Sequence, residues 1–236
     1  MAVVYDADAE VTGENVTSLS VSLTVSNNSN RYMIVGVAGW DAAVGDSLVS
    51  SVTFGGSATG WSQIITEIGP GAATDRSSLW GKAAPAAITS SVVVAFGGTA
   101  SEGGINALVA YNVNQSTPLG TASSAEGTTG NASTTVVAAV GDLVYDAVYH
   151  GGVNASGLVG ANQTQLANVS IHPTNSKLYA SREEGSATVV MWRTLTDGGS
   201  REWVQTAVAL KQAAAGLLEH PGMTGGMQEL TGRMAA

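Results

Sequence analysis

The groups that could do chemistry are few: three histidines, eighteen acidic residues and no cysteine in 236 residues. Nucleophilic catalysis needs a base beside a serine, cysteine or lysine. His150 closes an apolar stretch before Gly151 and Gly152, while His172 and His220 each precede a proline. No Gly-x-Ser-x-Gly elbow exists, so a triad would have to assemble in space from His150, Asp146 and an unspecified serine. Asp6, Asp8 and Glu10 alternate, and on a strand alternate positions share a face. They lack the turn glycine and distal glutamate of a calcium loop, and the reading is a solvated acidic segment. Histidine pairs at zinc-binding spacing are absent. The pairs Gly97–Gly98 and Gly103–Gly104 have no lysine and no following helix, which predicts hairpin loops, not a phosphate cradle. The expectation is a protein that is not an enzyme and uses no cofactor or metal.

Tryptophan offers a different chemistry, the stacking of sugars. Trp80 and Trp192 sit within apolar alternation and are expected in the core. Trp40 follows Gly39 and Trp61 follows Gly60, which places both at strand ends as candidate glycan-binding residues. A tryptophan at a strand end more often plugs the end of a sandwich than binds sugar.

Those residues need a frame, and the periodicity says which. Leu19, Val21, Leu23 and Val25 alternate with Ser18, Ser20, Ser22 and Thr24, the pattern of a half-buried strand. Tyr32 to Ala38 is a continuous apolar run of strand length, suited to burial on both faces. Further short stretches rich in Val and Thr recur to Leu210, separated by clusters such as Gly151–Gly152 and Asp197–Gly198–Gly199. The expected fold is all-β, an antiparallel β-sandwich of jelly-roll type. The expected organisation is an N-terminal segment (1–14), a sandwich domain (15–211) and an extended C-terminal arm (212–236), with a short helix over Gln212 to Glu219. In that arm Met223-Thr224-Gly225-Gly226-Met227 is echoed by Leu230-Thr231-Gly232-Arg233-Met234. Methionine adapts to irregular apolar grooves, so Met223, Met227, Leu230 and Met234 are the predicted partner-binding anchors.

Charge narrows the partners. Only 11% of residues are charged and the net charge is −9, whereas globular chains average about 25% charged residues. From Ala83 to Ser176 there is no lysine or arginine. Phosphate neutralisation supplies most nucleic-acid affinity, so nucleic acid is not an expected partner, nor is an anionic membrane. A surface of Ser, Thr, Asn, Gly and Ala costs little to desolvate and suits packing against neighbouring subunits. The N-terminus has no basic, apolar secretory signal, and no run of about 18 apolar residues occurs.

Several stretches together resemble a known group. They are Arg31 to Trp40 (RYMIVGVAGW), Ser51 to Gly56 (SVTFGG), Ser78-Leu79-Trp80, Val92 to Phe96, Gly141 to Val144 and Ala207 to Lys211. Across Asn15 to Lys211 the chain is similar to β-sandwich domains of bacteriophage structural proteins and of some bacterial surface proteins. That resemblance implies a structural or adhesive role and carries no catalytic residues. The expectation is a virion structural protein, a phage capsid decoration protein or a tail or fibre component. It would be made in the host cytoplasm, with copies of itself and a capsid or tail protein as partners. The alternatives are a carbohydrate-binding or adhesive module using Trp40 and Trp61, and a self-assembling extracellular filament subunit.

Overall fold

Short side chains in alternation with Ser and Thr favour extended chain, and in the computed structural model the named elements are all strands. The structure describes residues 1–40, 48–70, 75–152, 158–173, 176–195 and 202–214. Every strand pairing among them is antiparallel.

Two long strands set the plan: β1 (Val4–Thr24) and β6 (Thr89–Tyr111) pair along most of their length. The ribbon turns a corner where Thr17 alone faces the stretch Phe96 to Thr99. Gly13 and Gly103 are register partners beside it. A Cβ on Gly103 would stand 2.9 Å from the Phe96 ring, and one on Gly13 2.9 Å from Val16. Only glycine lets the folded-over half lie so close.

Beyond the corner, one half of the ribbon joins β2 (Tyr32–Trp40), β5 (Asp75–Ala83) and β4 (Trp61–Ile68) in the order β1-β6-β2-β5-β4. The other half pairs with β3 (Val49–Phe54) and packs on the outside of that sheet. The second large sheet runs β11-β12-β9-β14-β7. Its strands are β7 (Ser123–Gly127), β9 (Leu143–His150), β11 (Thr164–His172), β12 (Ser176–Glu184) and β14 (Trp203–Leu210). A small sheet of β8 (Ala132–Val136), β10 (Leu158–Val159) and β13 (Val189–Thr194) covers its far face in the order β10-β13-β8.

The result is a sandwich with an added layer on each side. Tyr32, Ile34 and Ala38 point into the central core, against Leu143, Tyr145, Ala147, Leu178, Val208 and Leu210. Met33, Val35 and Val37 point the other way, against Val52, Phe54, Val92 and Val94. The apolar run in β2 is therefore buried on both faces, which is why it shows no alternation.

Several local expectations are corrected. Residues 4–14 are half of β1 and belong to the first sheet; they are not a separate segment. Gly97–Gly98 and Gly103–Gly104 lie within β6, at its corner, and close no hairpin. The stretch Gly120 to Ser133, rich in Ser, Thr and Gly, contains β7 and the start of β8. Gln212 bridges Val113, and the Ala213 amide donates to the Asn112 carbonyl at 2.7 Å, so no helix begins at Gln212. The remainder of that helix and the whole Met-rich repeat lie outside the described residues.

Candidate functional site

Polar groups buried between layers mark where the fold departs from simple apolar packing. One such group lies at the end of the central core where β5 and β14 begin. The inward faces of β5, β6, β9 and β12 bring Asp75, Glu102, Tyr149 and Ser176 together there, all buried. Glu202, just before β14, approaches from the second sheet, and its Oε2 and the Asp75 side chain meet at Gly69. The Tyr149 hydroxyl donates to Glu102 Oε2 at 3.1 Å. Burial, then the hydrogen bond and charge of Glu202, push Asp75 up to about 7. Burial, with the charges of Asp75 and Glu102, also raises the Tyr149 phenol. Further along the same interface Ser77 Oγ donates to the Ala147 carbonyl at 3.0 Å and lies 2.7 Å from Thr206 Oγ1.

A second polar network joins the second large sheet to the small one. Asp146 is on the outward face of β9 and is 1% exposed. Its Oδ1 accepts from the Ser181 amide at 2.8 Å and from Ser181 Oγ at 2.6 Å, and its Oδ2 accepts from Gln205 Nε2 at 2.8 Å. Burial raises the Asp146 carboxyl, while the charge of Arg193 on β13 opposes that rise. Burial lowers the Arg193 guanidinium and Asp146 counteracts it. The Arg193 guanidinium lies 4.4 Å from the centre of the Tyr179 ring and donates to Gln165 Oε1 at 3.2 Å. Asp146 and Ser181 thus meet as partners, but both are sealed between layers. His150, at the end of the same face, packs its ring beside that of Tyr179, 6.5 Å between centroids.

The N-terminal acids are parted by a β-bulge between Tyr5 and Ala7. Asp6 accepts from the Ser26 amide at 2.9 Å, whereas Asp8 accepts from Tyr5 and from Asn106 Nδ2. Asp6 and Asp8 therefore have separate partners. His172 lies 3.5 Å from Glu14, and Thr12 Oγ1 donates to the Ser170 carbonyl at 3.0 Å. With Arg182 at 4.6 Å over the Tyr5 ring, these contacts tie the edge strand β1 to β11 and β12. His220 lies outside the described residues.

Trp40 and Trp61 are each half-buried, Trp40 against the central core and Trp61 against the outer one. Trp40 is the register partner of Asp75 and Trp61 that of Lys82, at opposite ends of β5. At about 3.3 Å per residue they are more than ~20 Å apart, so they share no stacking surface. Trp80 packs on the outer core as expected. Trp192 does not enter the core: it alternates with the buried Met191 and Arg193 and stands on the outer face of the small sheet beside Gly160.

The described surface exposes large apolar side chains at several places, among them Leu158 and Val190 on the small sheet and a pair on one link. Val137 is 69% exposed and Val140 is 81% exposed, on the link from β8 to β9. Val137 lines a groove of about 360 Å³ together with Asn114, Ala139, Asp142, Lys211 and Gln212, and Val140 follows on the same link. The link is held firmly. Asp142, 7% exposed, accepts from the Ala139 amide and the Gln212 amide, each at 2.9 Å. Gln212 Nε2 donates to the Val140 carbonyl at 2.8 Å and the Val3 amide to the Gly141 carbonyl at 2.7 Å. Gly141 turns at φ +93°, where a side chain would be strained. Sequence reading missed this feature, although Val136-Val137-Ala138-Ala139-Val140 breaks strand alternation just before a Gly-Asp pair. The expected anchors Met223, Met227, Leu230 and Met234 lie outside the described residues, which end at Ala214 beside this groove.

Comparison of the chain with protein families, with curated proteins and with solved structures finds no match.

Proposed function

We propose that this chain is a non-enzymatic virion structural protein, a bacteriophage capsid decoration protein or a tail or fibre component, that packs against neighbouring subunits. The observation that carries the reading is the exposed pair Val137 and Val140 on a link hydrogen-bonded to Asp142 and Gln212. Large apolar side chains held rigidly in water favour an interface, because the ordering cost of binding is already met in the free protein. The charge-poor exterior supports the same reading. In an array, many modest contacts add by multivalency. Met223, Met227, Leu230 and Met234 would supply the other half of each contact.

Light scattering with negative-stain imaging of the purified full chain tests this. A monomer or small ring that coats a shell or tail protein supports decoration, and loss of binding on truncation after Gly216 supports the arm. Long fibres formed by the chain alone would replace this reading with the filament one.

A further inference from the structure

The Asp75 and Glu202 side chains come together at Gly69 from the two facing large sheets, and two carboxyls brought together in a buried site favour a shared proton over two charges. The site gives that proton good reason to stay. Asp75 is 5% exposed. A Cβ on Gly69 would stand 3.0 Å from the Asp75 Cβ and 3.5 Å from Glu202 Oε2; one on Gly151 would stand 3.8 Å from Asp75 Oδ2. The two acids are thus walled closely by Gly69 and Gly151. The groups that face them are Glu102 from β6, Tyr149 from β9 and Ser176 from β12. Glu67 of β4 is on the same side but engages Ser124 Oγ. Arg76, next along β5, has the opposite orientation, as do His150 of β9 and Lys177 of β12, which lie by the Tyr179 ring on the far side of their sheet. Among the described residues no cation stands against Asp75.

We infer that Asp75 and Glu202 form a clasp between the two large sheets that is closed while they share a proton and weakened when the proton leaves. It goes beyond the assembly reading. The clasp lies at the Glu202 end of β14, whereas the groove lined by Val137 lies at the Gln212 end, so each can fail without the other.

The test is the full chain and its Asp75→Asn and Glu202→Gln variants, followed by thermal melts and by hydrogen exchange from pH 4 to 9. The folded protein holds the Asp75 proton more tightly than the unfolded chain does, so the contribution of this pair to stability is greatest in acid and declines as pH rises. The Tm of wild type relative to Asp75→Asn should fall from about pH 4 to about pH 7 and then level. Opening of peptides spanning 67–80 and 202–210, corrected for intrinsic exchange, should rise by up to about tenfold per pH unit in that window. Peptides spanning 105–113 and 138–145 at the other end, where Leu143 pairs with Leu210, report the contrast. Parallel wild-type and Asp75→Asn profiles would overturn the inference, as would loosening spread evenly over both ends. Should Asp75→Asn fail to fold, the same comparison with Glu202→Gln decides it.

Discussion

Tyr145 crosses the central core over Gly36. Its hydroxyl lies 2.6 Å from where a Cβ on Gly36 would stand, and it donates to Asn106 Oδ1 at 2.9 Å. Ala147 comes equally close, its Cβ 2.6 Å from the same point. The missing side chain at Gly36 is what lets the two sheets approach and Tyr145 find its partner.

Gly36→Ala should therefore destabilise the fold by overpacking, by about 1–3 kcal/mol. Chemical denaturation measures this. A Gly36→Ala variant as stable as wild type would show that the sheets can separate without loss.

Arg193 and Asp146 tie the small sheet to the second large sheet. Arg193→Met should leave the Asp146 carboxylate buried without a counter-charge, a loss of about 3–5 kcal/mol near neutral pH. Without the guanidinium the folded-state pKa of Asp146 rises further. The variant's deficit should therefore shrink as pH falls through the carboxylate range, because the folded state then accepts the proton. Urea melts at pH 7 and pH 4.5 give the comparison.

Val137→Asp with Val140→Asp should leave stability within about 0.5 kcal/mol of wild type, because both side chains are exposed. Self-association or particle binding should nonetheless be lost. Retained assembly, measured by sedimentation velocity, would move the interface elsewhere on the molecule.

The separation of Trp40 from Trp61 makes the adhesive reading separately testable. If a glycan column retains the protein, substitution of only one of the two to alanine should abolish retention, because no single sugar chain segment stacks on both. Equal, partial losses from each would indicate two independent sites.

Periodicity alone determined the class of fold. Alternating Leu19 to Val25 marks a strand wet on one face, and unbroken Tyr32 to Ala38 marks one buried on both. Each signal is local, because the side-chain period of a strand is set by its own backbone. Composition likewise determined an exterior with little charge. The corner in the β1–β6 ribbon was not legible, since glycine pairs at a bend and in a hairpin loop look the same until a partner strand is assigned. The outward placement of Trp192 was equally hidden: strand alternation tells which residues share a face, not which face a further layer will cover. The pairing of Asp75 with Glu202 and of Asp146 with Arg193 joins residues far apart in the chain. Only the stacking of the sheets brings those groups together, and only the exclusion of water between the sheets makes their protons and charges matter.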